Sequence, residues 1–335
     1  MSVEVVSPGL CTTVQDLGRY GFQRHGVNVG GAMDALAVQM VNMLVGNHRD
    51  EAVLELTMKG PTLLFQKDML IAVCGGDLSP TINKKPVKSN RAVWVKSGSI
   101  LQFSHAKQGC RAYLAVAGGW DVPIVMRSRS TNLRAGFGGL AGRMLQAGDR
   151  LEHNPPSSFS LYLAKQLEKK AGAAAFSYMD WFIPSSNFTH TRDSVVRVIR
   201  GDQFDDFTAE SRQSFFEQAF QVTPQSDRMG YRLTGPTLAL TSPLELISAA
   251  VTMGTIQVPP DGQPIILMAD RQTIGGYPKI GYVATVDLPI IAQLRPGETM
   301  RFQEISLYDA QRALYERERT MHEIKLGMEL TVGWR

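Results

Sequence analysis

Residues 92–103 read Ala92-Val93-Trp94-Val95-Lys96-Ser97-Gly98-Ser99-Ile100-Leu101-Gln102-Phe103. Two apolar runs of strand length flank a Ser-Gly turn, a pattern of strand, tight turn and strand. The same grammar continues outward. Val53-Leu54-Glu55-Leu56, Leu70-Ile71-Ala72-Val73 and Tyr113-Leu114-Ala115-Val116 are separated by Gly60-Pro61, Gly75-Gly76 and Gly118-Gly119. Short strands so punctuated predict a β-barrel or sandwich, not alternating strand and helix units.

Further strand-like runs lie at Val3–Val6, Val195–Ile199, Leu238, Leu244–Ile247, Thr255–Val258, Ile265–Met268, Tyr282–Thr285 and Thr299–Phe302. Helices are few. Ala37, Met40, Val41 and Leu44 recur at helical spacing before Gly46-Asn47, and Ser158–Lys170 is a polar helix candidate. Phe207–Phe220 reads as a helix capped by Thr208, and Leu307, Ala310 and Leu314 mark a charged terminal helix over 307–326. With 335 residues the chain exceeds the roughly 300 at which single cores stop growing, so two domains are expected. The expected borders are 1–155 for an N-terminal β-barrel domain, 156–194 for a linker with a helix, 195–305 for a C-terminal β-barrel domain and 306–335 for a helical tail. A faint echo, Gly60-Pro61-Thr62-Leu63 against Gly235-Pro236-Thr237-Leu238 and Ser97–Phe103 against Pro296–Phe302, is compatible with two similar barrels.

Composition excludes several classes. Thirty-five basic against thirty-one acidic residues leave a net charge of only +4, and the densest basic stretch, Met126–Arg134, holds no aromatic residue, so nucleic acid is not an expected partner. No apolar run reaches the length of a spanning helix, so no membrane partner is expected. Three cysteines without a CxxC, and no signal sequence after Met1, fit a soluble cytoplasmic chain. The six histidines stand singly and no HExxH occurs, so no metal is expected; Walker A and GxSxG motifs are absent too. Gly136–Ala141 matches GxGxxA, but a polar Arg-Ser-Arg-Ser-Thr segment precedes it where a dinucleotide site needs an apolar strand.

Two polar, glycine-rich segments remain. The first runs from Thr12 to Asp34. Asp16 and Asp34 could orient Arg19, although Asp34 is better placed to cap the following helix, and Arg134 and Arg143 frame the central glycine loop. The second spans Gly254–Gln263 and Ala269–Pro278. There the buried run Ile265–Met268 should deliver Asp270, Arg271 and Gln272 at its end. A carboxylate, a forked cation and an amide suit a small substrate with amide or ureido groups, while the same side chains could equally close a turn. The Ser226–Arg232 stretch is similarly rich in donors.

Together these segments resemble the KipA family, that of the 5-oxoprolinase C subunit. The resemblance rests on Pro8-Gly9-Leu10, Thr12–Arg19, Gly31-Ala32-Met33-Asp34, Leu44–Asn47, Tyr113–Pro123, Ser128–Thr131 with Arg134–Gly139, Ser226–Gly230 and Asp270–Pro278, and it spans roughly residues 3–303. The family includes part of the carboxyltransferase region of urea carboxylase. The resemblance implies a mainly β fold with two cyclophilin-like β-barrel domains and a few short helices. It implies a heteromeric ATP-dependent enzyme, inactive as this chain alone, in which an A-type component and a KipI-like B-type component help to open 5-oxoproline to glutamate. No cofactor is expected on this chain itself; ATP is used by the complex. Two alternatives are a biotin-dependent carboxyltransferase, with carboxybiotin supplied in trans, and a regulator that binds a KipI-like inhibitor of a sporulation histidine kinase. Asp270, Gln272 and Arg271 are the expected catalytic residues. Gln257, Thr273, Tyr277, Ser226, Asp227 and Arg228 are expected to bind substrate, and Asp16, Arg19, Asp34 and Arg134 form a further candidate site loop. The chain departs from the family pattern at Arg127, where Gly is usual, at Asp202 in place of Pro, and at Ile274 in place of Thr.

Overall fold

The computed structural model describes residues 2–184 and 193–334; His190 and the part of the expected linker at 185–192 lie outside the described residues. Two compact units emerge. One comprises Met1–Arg19, Asp34–Thr189 and Met321–Arg335, the other Tyr20–Met33 and His190–Thr320. Tyr20–Met33, inside the expected 1–155 domain, therefore groups with the second unit, and the end of the expected tail groups with the first.

The first unit is built on two six-stranded sheets. In one, the order is Phe176–Tyr178, Ala92–Val95, Met69–Asp77, Gln108–Val116, Val53–Thr57 and Cys11–Gln15; in the other it is Arg150–Leu151, Val3–Ser7, Thr62–Phe65, Ile100–Gln102, Thr81–Ile82 and Lys85–Pro86. The opening stretch turns out to be a corner and not a hairpin, because Ala92–Val95 lies in one sheet and Ile100–Gln102 in the other. Gly98, at φ +80°, makes the turn. Both runs reach the same core: Val93, Val95, Leu101 and Phe103 bury with Leu54, Ile71, Leu114 and Trp120. A shared core satisfies the apolar pattern from either sheet, so the pattern alone could not tell corner from hairpin.

The helix Ala35–Leu44 forms where the spacing requires it, and Asp34 caps it by accepting the Ala37 N–H at 3.0 Å. Ser158–Ala171 is capped by Ser157 and buries Leu163 and Leu167.

The second unit holds a closed seven-stranded barrel, in the order Asp193–Arg200, Lys279–Val283, Thr255–Gln257, Ile265–Leu267, Gly230–Thr234, Ala219–Val222 and Thr299–Glu304. A parallel pairing of the first and last strands closes it. Val196, Val198, Phe220, Ile256, Ile266, Ile280 and Phe302 fill the interior, with Phe215 stacked on Phe302 at 4.6 Å. Thr208 caps Ala209–Glu217 as expected, and the terminal helix runs from Leu307 to Thr331.

Two expected strands do not form. Leu238 and Leu244–Ile247 lie in irregular chain, and Ile247 is 96% exposed. The first strand pairing after Pro243 is at Ala249–Ala250, which pairs with Ile274–Gly275. Of the internal echo, the turn is real at Gly98 and Gly297, each at positive φ and each leading into a strand, whereas Gly60-Pro61 leads into a strand and Gly235-Pro236 does not. No helix among the described residues is long and apolar enough to cross a membrane.

Candidate functional site

The strand Ile265–Leu267 pairs with Thr255–Gln257 on one side and Gly230–Thr234 on the other, so its apolar side chains fix it in the barrel wall. Its continuation is then zipped to the Ser226–Gly230 loop: Met268 N–H donates to the Met229 carbonyl at 2.9 Å, and Asp270 N–H to the Arg228 carbonyl at 2.8 Å. This brings Arg228 against Asp270. The guanidinium donates from Nε to Oδ2 at 2.8 Å and from Nη2 to Oδ1 at 3.1 Å, and Nη2 also reaches the Gly31 carbonyl at 2.6 Å. Asn28 Nδ2 donates to the Asp270 carbonyl at 3.1 Å. Both ionic side chains are largely buried, at 12% and 14% exposed. A lone arginine in a loop is usually a surface charge; here three segments converge on it.

Arg271 turns the other way. Its guanidinium donates to the carbonyls of Val251 and Met268 at 3.4 and 3.3 Å, and burial pulls it below its ordinary value, an effect that the Tyr20 phenol opposes. Gln272 is exposed, Thr273 half-buried and Tyr277 exposed. Gln257 is only 5% exposed. The two amides converge on Gly275: a Cβ built there would lie 3.4 Å from Gln257 Oε1 and 3.6 Å from Gln272 Nε2.

A residue that sequence reasoning missed completes this patch. Lys279 pairs with Gln257 across neighbouring antiparallel strands, so the two side chains leave the same face of the wall. Lys279 is 6% exposed overall. Its sequence signal, one lysine between Pro278 and Ile280, is indistinguishable from a surface charge.

Other expected site residues have local duties. Ser226 Oγ donates to the Arg232 carbonyl and accepts the Arg232 N–H, while Asp227 Oδ1 accepts the N–H groups of Met229 and Gly230. These two side chains shape the loop that presents Arg228.

The candidate loop of the first unit is a separate constellation. Asp16 accepts from the hydroxyls of Ser128 and Ser130 and from the N–H groups of Gly18 and Arg129. Arg19 is fully buried, donates to the Ser130 carbonyl and lies 4.8 Å from the Phe137 ring centroid. Gly138 at φ +72° passes so close that a Cβ there would sit 2.1 Å from the Ser130 carbonyl oxygen. Asp34 serves as the helix cap, its N–H donating to the Tyr113 hydroxyl, which in turn donates to Glu55 at 2.9 Å. Burial and the nearby Glu55 and Asp34 carboxylates raise the Tyr113 phenol well above its ordinary value. Arg134 is exposed. No group of three or more metal-ligating side chains is gathered among the described residues.

The departures are also placed. Asp202 accepts from the Tyr282 hydroxyl at 2.8 Å, and Ile274 is 56% exposed. Arg127, where Gly is usual, has φ +62°.

The family described as "Carboxyltransferase domain, subdomain A and B" matches residues 25–304. The chain is 39% identical to the 5-oxoprolinase C subunit of Haemophilus influenzae over 313 residues, covering 93% of this chain and 94% of that one. It is 35% identical to the 5-oxoprolinase C subunit of Escherichia coli, covering 96% and 97%. The crystal structure of Kluyveromyces lactis urea amidolyase is similar at a TM-score of 0.85 and 32% identity; the match takes in 96% of this chain and 20% of that much longer one. Barrel, loop motifs and near end-to-end matches agree, and the chain belongs to the carboxyltransferase-domain family that includes the 5-oxoprolinase C subunit.

Proposed function

We propose that the chain is the C subunit of an ATP-dependent 5-oxoprolinase and works with an A-type component and a KipI-like B-type component to open 5-oxo-L-proline to L-glutamate. The observation that carries this reading is the match over 94% of the Haemophilus influenzae protein of that name. Opening breaks the lactam C–N bond; water gives hydroxyl to the carbonyl carbon and a proton to the leaving nitrogen. The substrate offers a secondary amide and a carboxylate. Gln257 and Gln272, converging on Gly275, are suited to read the amide, since each side chain both donates and accepts. Lys279 and Arg271 supply positive charge for the carboxylate or for an oxyanion forming at the carbonyl. Asp270, with both oxygens committed to Arg228, is the orienter of the loop and not the proton carrier. Nucleotide is assigned to the partner proteins, as this chain has no Walker A motif.

The test combines the purified chain with candidate A-type and B-type components and follows glutamate release from 5-oxoproline. Release that requires this chain supports the reading; release undiminished by its omission overturns it. A second reading, biotin-dependent carboxyl transfer, is favoured by the likeness to urea amidolyase. The chain lacks an Ala-Met-Lys-Met sequence, so carboxybiotin would arrive on a separate carrier. Activity abolished by avidin would select that reading.

A further inference from the structure

We infer that Ile247 is a specificity-determining residue, carried by a strap, residues 242–248, that folds over the amide-reading patch and sets Ile247 against the substrate ring. The inference deepens the 5-oxoprolinase reading and rests on it. The strap is tied at both ends. Before it, the Thr241 N–H and hydroxyl both donate to the Asp206 carbonyl, at 2.9 and 3.0 Å. After it, Ala249 pairs with Gly275 and Ala250 with Ile274, and the Val251 N–H donates to the Thr273 carbonyl at 3.1 Å. Between these ties no residue belongs to a strand, and all but the half-buried Leu246 are exposed. A segment held only at its ends is free to move about them.

Register decides which way the strap faces. Carried back from the Ala249–Gly275 pair, it sets Ser248 opposite Gly276 and Ile247 opposite Tyr277. The first of these steps shows in the packing, since a Cβ built on Gly276 would lie 3.3 Å from Ser248 Oγ. Residues opposite one another leave the same face of a ribbon, and residues two apart along a strand share that face. Ile247 and Tyr277 therefore belong to the face of Gly275. On that face the two amides converge, Gln257 Oε1 at 3.4 Å and Gln272 Nε2 at 3.6 Å from a Cβ built on Gly275.

Ile247 is 96% exposed and Tyr277 45% exposed, so a largely apolar pair stands in water beside two primary amides. 5-Oxoproline has the complementary halves: a planar amide edge for the glutamines, and two ring methylenes that take part in no hydrogen bond. Closing the strap sets Ile247 and Tyr277 over those methylenes and removes the apolar surface of protein and ligand from water together. Closure driven in this way needs an apolar side chain at position 247 and not one particular shape.

Two readouts test this, both with the full chain assembled with its A-type and B-type components. Amide hydrogen exchange is followed with and without saturating 5-oxo-L-proline, and exchange across 242–248 should slow at least about fivefold. Glutamate release is then compared for wild type, Ile247→Ser and Ile247→Leu. Ile247→Ser should raise KM for 5-oxoproline about tenfold with kcat within about threefold, while Ile247→Leu stays close to wild type. Neither should shift thermal unfolding, as the side chain is exposed. Exchange at 242–248 that ignores 5-oxoproline overturns the inference. So does an unchanged KM in Ile247→Ser, or loss of assembly in that variant, which would make Ile247 a partner contact. Slowed exchange without glutamate release by the wild type would uphold the strap and overturn the 5-oxoprolinase reading instead.

Discussion

Arg228 and Asp270, 42 residues apart, share two hydrogen bonds, Nε to Oδ2 at 2.8 Å and Nη2 to Oδ1 at 3.1 Å, in a setting that leaves each side chain less than one-seventh exposed. Removing one partner strands the other charge. Asp270→Ala should therefore destabilise the chain by about 3 kcal/mol in denaturant unfolding. Asp270→Asn keeps the shape and one acceptor but also removes the counter-charge of Arg228, so it should destabilise the chain by less than Asp270→Ala. It should lower turnover of the assembled complex about hundredfold while leaving assembly intact, measured by glutamate release and by size-exclusion chromatography. Full activity in Asp270→Asn would remove this carboxylate from the site.

Lys279 should separate activity from stability in the opposite sense. Lys279→Met keeps the length and apolar stem of a side chain that is 6% exposed overall and removes its charge. Thermal unfolding should be unchanged or shifted upward, while turnover falls about hundredfold. A clear loss of stability would identify Lys279 as a structural residue.

The turn before the Ser-Arg-Ser-Thr motif is built for a different residue. Val125 and Ser128 exchange backbone hydrogen bonds at 2.9 and 3.2 Å, and the two residues between them, Met126 and Arg127, have φ of +51° and +62°. Positive φ at both central positions is what a type I′ turn demands, and glycine is favoured there. Arg127→Gly should stabilise the chain by about 1 kcal/mol, read as a raised urea midpoint at unchanged slope.

Acid should weaken the first unit partly through Asp149. The Arg143 guanidinium, bonded to its carboxylate at 2.7 and 2.8 Å, holds Asp149 below its ordinary value of 3.8. A depressed carboxylate stabilises the fold fully above that ordinary value and loses the contribution as pH falls through the lower folded value. Arg143 is 37% exposed, so solvent screening limits the effect to about 1 kcal/mol. Urea unfolding of wild type and Asp149→Asn should differ at pH 6 and converge as the pH falls through the lowered folded value of Asp149. A gap that stays constant with pH would show that the pair contributes nothing through its charge.

Local features were legible in the sequence because they depend on near neighbours. Asp34 and Thr208 cap the helices that their spacing announced, and the strands at 53–57, 69–77 and 108–116 form where apolar runs meet glycine turns. Leu244–Ile247 misled because an apolar run predicts a strand only if a partner strand exists, and partnership is decided elsewhere in the chain. The Asp270–Gln272 motif was visible, but its meaning was not. Whether Asp270 would carry a proton or hold Arg228 depends on a loop 42 residues earlier. Lys279 was invisible for the same reason, as its neighbour Gln257 is set by strand register, not by any local motif.

The interleaving of the two units has a consequence for synthesis. Met33 belongs to the core of the second unit, and the Gly31 carbonyl accepts from Arg228, yet the barrel that receives them begins at Asp193. At ribosomal rates of about 5–20 residues per second, Tyr20–Met33 waits roughly ten seconds or more for its destination to be made. A fragment beginning at the barrel would emerge without that segment and be left with an unfilled notch in its core. For this chain, the first glycine-rich stretch to leave the ribosome is among the last to find its place.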